Sequence, residues 1–117
     1  LNKIKKAKIL VMGLTFKENC PDLRNSGVSN LIKQLKKYKL KIDLYDPWAN
    51  KEMVKNIYKK FPINKLKFNK YDGIIIAVAH KKFNKMGVEF ISNLGKKNHV
   101  LYDLKSMFNT SKSDLRL

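Results

Sequence analysis

The chain has 117 residues, 44% of them apolar, which is enough material for one hydrophobic core and too little for two. It carries 26 basic and 9 acidic residues, and the resulting net charge of +17 raises the question of nucleic-acid binding. The basic residues, nearly all lysines, are scattered along the chain and are not interleaved with aromatic residues in an RNA-binding motif. A solvated lysine-rich surface is therefore the preferred interpretation, and a basic module for acidic partners such as nucleic acid is the alternative.

Cysteine and histidine usage excludes two further classes of protein. The single cysteine, Cys20, cannot form an internal disulfide, and His80 and His99 have no ligand-like neighbours, so no metal site is expected. The longest apolar run, Ile74 to Ala79, has the length of a strand rather than of a membrane span. These features fit a cytoplasmic protein. Because a basic stretch leads from Leu1 directly into a strand, we expect a piece of a longer protein.

Strand and helix patterns alternate along the chain. An apolar run at 7–13 predicts a buried first strand, and a polar loop separates it from a helix. We expect that helix to be capped by Asn25 or Ser26 and to end near Tyr38. The next predicted elements are a strand at 40–45, a helix at 50–58 stopped by Pro62, a weak strand at 65–68 and a central strand at 74–79. The last are a helix at 83–94, broken at Gly87 and closed by Gly95, and a strand at 99–103 before a polar tail. This alternation predicts an α/β fold, a three-layer Rossmann-like sandwich with a mostly parallel central sheet.

Polar residues follow the predicted strands, and ligands of such sheets bind beyond the carboxyl ends of the strands. The loop after Gly13, Asp46, His80 and the segment 103–106 all fall at that edge, which is therefore the predicted binding site. Asp46 could accept a hydrogen bond from a ribose, but a role in capping the turn and the helix after Pro47 is favoured. His80 could act as an acid or a base, although the sequence shows no partner and a capping or packing role is favoured.

The loop after the first strand carries the most unusual chemistry. It has one glycine where a dinucleotide turn has three, and the chain has no Gly-Lys-Ser/Thr triplet, so neither the usual NAD turn nor a Walker-type phosphate loop is present. Lys17 offers a donor for phosphate and Phe16 a surface for a ring or sugar, the alternatives being a solvated lysine and a core-filling phenylalanine. Arg24 offers a planar fork for phosphate or carboxylate, or pairs with Asp22 to fix the loop. Cys20 has no base near it in sequence and is not expected to be a nucleophile.

The same loop resembles a known family. Residues 13–25, Gly-Leu-Thr-Phe-Lys-Glu-Asn-Cys-Pro-Asp-Leu-Arg-Asn, are similar to the signature loop of the carboxyl-terminal domain of the UDP-glucose and GDP-mannose dehydrogenases. The Glu-Asn-Cys-Pro part resembles the branch that oxidises UDP-N-acetylhexosamines, including the Vi-polysaccharide type. Further matches are Tyr-Asp-Pro at 45–47, Ala-Val-Ala-His-x-x-Phe at 77–83 and Tyr-Asp-Leu-Lys at 102–105, so the resemblance spans roughly residues 8–107.

This resemblance implies the UDP-sugar-binding domain of an NAD-dependent 6-dehydrogenase, which turns the C6 alcohol of a UDP-N-acetylhexosamine into a carboxylate for bacterial surface polysaccharide such as capsule. Phe16 and Lys17 would contact the UDP-sugar, and Arg24 would reach toward NAD. Lys105 or Ser106 stands where many relatives have an arginine that binds UDP. NAD binding and catalysis would belong mainly to other domains of a homodimeric parent protein. The 117 residues alone are therefore expected to be inactive.

Overall fold

The computed structural model describes residues 7–15, 19, 27–38, 40–104 and 115–116. The elements of that part are, in chain order, β1 (Lys8–Met12), α1 (Val28–Lys36), β2 (Lys41–Tyr45), α2 (Lys51–Tyr58), β3 (Tyr71–Ile76), α3 (Lys81–Ser92), β4 (Gly95–Asp103) and β5 (Leu115–Arg116). The strands form one sheet in the order β2-β1-β3-β4-β5, and every neighbouring pair is parallel. The predicted Rossmann-like α/β fold is therefore confirmed.

Each face of the sheet has its own apolar core, because successive side chains of a strand point to opposite faces. Val11 of β1 and Ile75 of β3 lie in a cluster with the buried residues of α1 and α2. Leu10 and Ile74, their neighbours in the chain, lie in a second cluster with the buried residues of α3. The helices thus form two outer layers around the sheet. None of the helices in the described ranges is long and apolar enough to cross a membrane.

The connection from α2 to β3 differs from the prediction. Helix α2 ends before Pro62, because Lys59 adopts a left-handed conformation with φ 65°. The strand expected at 65–68 is wrong, since residues 59–70 are irregular chain and turns. Two of their apolar side chains, Ile63 and Leu66, pack against the core on the α3 face, and two others, Phe61 and Phe68, are exposed.

In the carboxyl-terminal third, one prediction is confirmed, one strand is longer than predicted, and one strand was not predicted. Gly87 has φ 83° and ψ 153° and interrupts α3, as expected. Strand β4 begins at Gly95 rather than at His99, and the two-residue strand β5 lies in the segment expected to be a polar tail. The predicted caps of α1, Asn25 and Ser26, lie outside the described residues.

Candidate functional site at the carboxyl edge of the sheet

The carboxyl ends of β1, β2 and β3 bring three polar residues together. Thr15 follows β1, Asp46 follows β2, and His80 is the N-cap residue of α3. The register of the sheet aligns the last residues of the three strands, so the segments that leave them meet at one edge. The side chains of Asp46 and His80 have no solvent exposure, and Thr15 is 1% exposed. Buried polar side chains of this kind require hydrogen-bond partners.

The Asp46 carboxylate is the centre of this group. Its two oxygens accept hydrogen bonds from four backbone N–H groups and one imidazole: Oδ2 from Leu14 N at 2.6 Å, Thr15 N at 3.3 Å and His80 Nε2 at 3.0 Å, and Oδ1 from Trp48 N at 2.7 Å and Ala49 N at 3.2 Å. Burial raises the pKa of Asp46, but the hydrogen bonds outweigh it and hold the pKa below its usual 3.8. The predicted role of Asp46 in capping the turn after Pro47 is confirmed, whereas its predicted role in capping the following helix is wrong, because Asn50 is the N-cap residue of α2.

His80 connects this carboxylate to the loop that follows β1. Its Nδ1 accepts a hydrogen bond from Asn19 N at 2.8 Å, so the imidazole proton is assigned to Nε2, which faces Asp46 Oδ2. Thr15 Oγ1 lies 3.2 Å from the same Nε2. The ring packs edge-on against Phe83, with centroids 5.3 Å apart, and makes no cap hydrogen bond. Of the two roles predicted for His80, packing is confirmed and side-chain capping is wrong.

Asn19 is a site residue that the sequence analysis missed. It has φ 57°, a left-handed conformation that asparagine adopts more readily than most residues. Its backbone N–H donates to His80, and its Oδ1 accepts a hydrogen bond from Lys81 N at 3.0 Å. Lys81 N is among the first N–H groups of α3, which have no partner inside the helix. Asn19 therefore fastens the loop to the start of α3.

An open cleft with a volume of about 700 Å³ lies beside Asn19. Its lining comes from the segments that follow the first three strands: Asn19, Pro47, Trp48, Lys81, Lys82 and Lys85. The Trp48 side chain is partly exposed, at 46%, and the three lysines are exposed. An aromatic face beside several ammonium groups suits an anionic ligand that carries a ring.

The site residues predicted from the sequence, Phe16, Lys17, Arg24 and Lys105, lie outside the described residues, as do Cys20 and Ser106. Two described neighbours of these residues in the chain lie at the carboxyl edge. Thr15 precedes Phe16, and Leu104 precedes Lys105. The N–H of Leu104 donates to Ile76 O at 3.0 Å. Among the residues described, no group of three or more His, Cys, Asp and Glu could hold a metal ion.

Gly13 lies where two segments of the domain approach each other closely. With φ 99°, it occupies a conformation that favours glycine, and a Cβ built on it would lie 2.7 Å from the backbone nitrogen and from Cβ of Val78. Its N–H donates to Tyr45 O at 2.9 Å. The glycine thus permits close approach between two segments of the domain itself.

Comparison with known proteins decides the identity of the domain. Residues 10–110 match the UDP-glucose/GDP-mannose dehydrogenase family, UDP binding domain. The chain belongs to this family. The resemblance carried by the loop at 13–25 and by the later motifs is therefore confirmed.

Individual members of the family show how much of a relative the chain represents. It is 50% identical over 111 residues to UDP-N-acetyl-D-glucosamine 6-dehydrogenase of Pseudomonas aeruginosa, and 46% identical over 111 residues to the protein of that name from Salmonella typhi. Each alignment covers 95% of this chain and 26% of the relative, so the chain spans about a quarter of their length. The structure of UDP-D-ManNAc dehydrogenase from Pyrococcus horikoshii has the same fold, with a TM-score of 0.71 at 23% identity over 92% of this chain and 23% of that one.

Proposed function

We propose that this UDP-binding domain holds the UDP-sugar of an NAD-dependent UDP-N-acetylhexosamine 6-dehydrogenase. Membership of the family supports the nucleotide, and the names of the two relatives support the N-acetylhexosamine and the oxidation at C6. The complete enzyme oxidises the C6 alcohol to a carboxylate, with NAD as the oxidant, and supplies an acidic sugar for surface polysaccharide in a bacterial cytoplasm. The alternative of a basic module for nucleic acid has no support in the part of the chain that the structure describes.

We assign NAD mainly to other domains of a longer, homodimeric protein, because the sequence after Gly13 lacks the second and third glycines of a dinucleotide turn. Within the present domain, Phe16 and Lys17 are proposed to contact the UDP-sugar from the loop after β1. Lys105 is proposed to contact the UDP moiety from the segment after β4, and Arg24 to reach toward NAD.

Among the described residues, the cleft beside Asn19 gives the strongest support for UDP binding. The indole of Trp48 offers a flat face for the uracil ring. Lys82 and Lys85 line the same cleft, where their ammonium groups can form charge-assisted hydrogen bonds with a diphosphate. The cleft also lies at the edge where parallel α/β sheets bind their ligands.

Calorimetry of the 117-residue chain with UDP tests this proposal. The double variant Lys82→Ser/Lys85→Ser should raise the Kd for UDP about tenfold, which corresponds to losing one or two charge-assisted contacts. Because a chain of net charge +17 attracts any anion, the control is Lys33→Ser/Lys37→Ser, which removes the same charge from exposed positions in and just after α1. The control should change the Kd by less than about twofold, since surface charges are screened at physiological salt.

Two outcomes would contradict the proposal. The first is the absence of any heat of binding with both UDP and UDP-N-acetylglucosamine, together with unchanged amide resonances around Lys17. The second is an equal loss of affinity in the cleft variant and in its control, which would mean that UDP responds to net charge alone.

A further inference from the structure

The cleft beside Asn19 is lined by segments that are far apart in the chain. Trp48 comes from the turn after β2, and Lys82 and Lys85 come from the first two turns of α3. In UDP the uracil ring and the diphosphate are joined through one ribose. A ligand that stacks on the indole and also binds the lysines therefore requires a fixed separation between the two segments. Contacts that fix this separation contribute to the affinity of the cleft.

A buried hydrogen bond joins the two segments. His80 Nε2 donates to Asp46 Oδ2 at 3.0 Å, and neither side chain has any solvent exposure. Asp46 stands two residues before Trp48, and its other oxygen, Oδ1, accepts a hydrogen bond from Trp48 N at 2.7 Å. His80 is the N-cap residue of α3, and its carbonyl oxygen accepts a hydrogen bond from Phe83 N at 3.0 Å. Each member of the pair is thus bonded to the other and to one of the two segments.

The ring of His80 also lies beside the indole. The ring centroids of His80 and Trp48 are 6.4 Å apart and the ring planes are inclined by 38°, which is within the range of aromatic pairs in proteins. Phe83 packs against the same imidazole, with centroids 5.3 Å apart, and is itself buried. The pair therefore supports Trp48 at its backbone through Asp46 and at its ring through His80. Because Asp46 and His80 are buried, they influence a ligand in the cleft through the residues that they hold.

We propose that Asp46 and His80 are positioning residues that fix Trp48 relative to the lysines of α3 in the arrangement that binds UDP. The inference rests on the proposed function, because it gives this buried pair a part in UDP binding. With the pair intact, the indole and the ammonium groups are arranged before the ligand arrives, so less conformational entropy is lost on binding. Without the hydrogen bond between Asp46 and His80, the same ligand contacts would give a weaker complex.

Two substitutions of His80 isolate the hydrogen bond to Asp46. In His80→Gln the side-chain amide can reproduce the Nε2–H donor to Asp46 but offers no acceptor to Asn19 N. In His80→Asn the side-chain oxygen can reproduce the Nδ1 acceptor for Asn19 N, but the shorter side chain does not reach Asp46. Both variants lose the ring beside Trp48, so that loss cancels when they are compared. The structural control is Tyr71→Phe, at the start of β3 and so at the opposite edge of the sheet from the cleft.

The experiment measures the Kd for UDP by calorimetry and the motion of Trp48 by time-resolved fluorescence anisotropy. It uses the 117-residue chain, in which Trp48 is the sole tryptophan. His80→Asn should raise the Kd about tenfold and increase the amplitude of the nanosecond motion of the indole. His80→Gln should raise the Kd by less than about threefold and leave the indole less mobile than His80→Asn does. Tyr71→Phe should lower the melting temperature, keep the Kd within about twofold and leave the anisotropy decay unchanged.

A measurement on the wild-type chain covers the case in which the His80 variants do not fold. Exchange of the Trp48 amide hydrogen requires its bond to Asp46 Oδ1 to open. If UDP binds only when the turn is held, UDP at about 100 times its Kd should slow this exchange about a hundredfold. The amide of Met53, which donates to Asn50 Oδ1 in α2, is the reference and should change by less than about twofold.

Three outcomes would overturn the inference. The first is that His80→Asn binds UDP as tightly as His80→Gln, or that the indole is equally mobile in the two variants. The second is the opposite order of affinities, because the contact with Asn19 would then matter more than the bond to Asp46. The third, on the wild-type chain, is an equal change in the exchange of the Trp48 and Met53 amides.

Failure of the proposed function gives a different pattern. In that case the wild-type chain does not bind UDP, yet the indole is more mobile in His80→Asn than in His80→Gln. That result would overturn the role in UDP binding and leave the bond between the two segments established.

Discussion

Asp43 and Asp46, three residues apart around the end of β2, are both carboxylates whose surroundings favour the ionised form. Burial raises the pKa of each, and hydrogen bonds outweigh burial in both cases, so both pKa values lie below the usual 3.8. Asp46 receives its hydrogen bonds from His80 and from backbone N–H groups. Asp43 receives its bonds from side chains, with Tyr71 OH at 2.6 Å from Oδ2 and Lys70 Nζ at 3.1 Å from the same oxygen. The contribution of the Asp43 hydrogen bonds to stability can therefore be measured with a single side-chain substitution.

Tyr71→Phe removes the hydroxyl that donates to Asp43. Burial and the neighbouring carboxylate raise the pKa of the Tyr71 hydroxyl, so it remains a donor at neutral pH. Removing a hydrogen bond to a partly exposed carboxylate should lower the free energy of unfolding at pH 7 by about 1–2 kcal/mol. Urea unfolding monitored by circular dichroism measures this loss.

The pH dependence of that loss has a definite sign. A carboxyl with a lowered native pKa stabilises the fold above its unfolded pKa of 3.8, and the contribution disappears as the pH falls through the lower native value. The difference between wild type and Tyr71→Phe should therefore shrink as the pH falls below 4, where Asp43 becomes protonated first in the unfolded chain and, at lower pH, in the native protein. A difference of the same size at pH 3 and pH 7 would show that Tyr71 acts through packing alone.

At the scale of elements, the strands with an apolar or alternating pattern, namely β1, β2, β3 and the second half of β4, were predictable, whereas the first half of β4 and strand β5 were not. Strand β1 appears in the sequence as a continuous apolar run, because both of its faces lie against helices. The run predicted as a strand at 74–79 supplies only the last three residues of β3, which begins at Tyr71. The first half of β4, Gly-Lys-Lys-Asn at 95–98, has no apolar side chain. Its Gly95 pairs with Tyr71, and the register of the two strands shifts between Tyr71 and Gly73. Backbone pairing alone makes it a strand. Strand β5 has only two residues, which is too short for any periodicity.

In the candidate site, contacts between residues close in sequence were predictable, and contacts between residues distant in sequence were not. The capping role of Asp46 was predictable because its partners in the turn are two and three residues away. Its contact with His80 was not, since the two residues are 34 positions apart and meet only when parallel strands align their carboxyl ends. Asn19 was missed because its function depends on a left-handed backbone conformation, which a single asparagine in a polar loop does not reveal.

Helix α2 has a local signal strong enough for a quantitative prediction. Asn50 precedes its first turn with extended backbone angles, and Asn50 Oδ1 accepts a hydrogen bond from Met53 N at 3.1 Å. Asn50→Ala should lower the free energy of unfolding by about 1 kcal/mol, because one N–H of the first turn loses its partner. Asn50→Asp should retain the cap, and the exposed neighbour Lys51→Ala should have no measurable effect. Equal stability of Asn50→Ala and wild type in urea unfolding would contradict the capping role.

At the scale of the whole molecule, the dominant electrostatic property is the excess of positive charge. The net charge is +17, and the described ion pairs, such as Lys70 with Asp43 at 3.1 Å and Lys96 with Asp72 at 3.4 Å, engage few of the lysines. Exposed pairs of this kind contribute about 0–1 kcal/mol each. Repulsion among the remaining lysines acts over the whole surface and opposes the compact state.

Added salt should therefore stabilise this domain, because the Debye length falls from about 20–30 Å at very low salt to about 8 Å at 0.15 M and screens the repulsion. We expect the melting temperature to rise by several degrees between low and physiological NaCl. The variant Lys65→Glu/Lys67→Glu replaces two exposed positive charges outside the helices with negative ones, so it should melt higher at low salt and respond less to NaCl. A melting temperature that falls with NaCl would mean that attractive pairs outweigh repulsion.

Because UDP is itself an anion, its stabilising effect must be measured at constant ionic strength. A rise in melting temperature beyond that given by sulfate then reports specific binding of UDP.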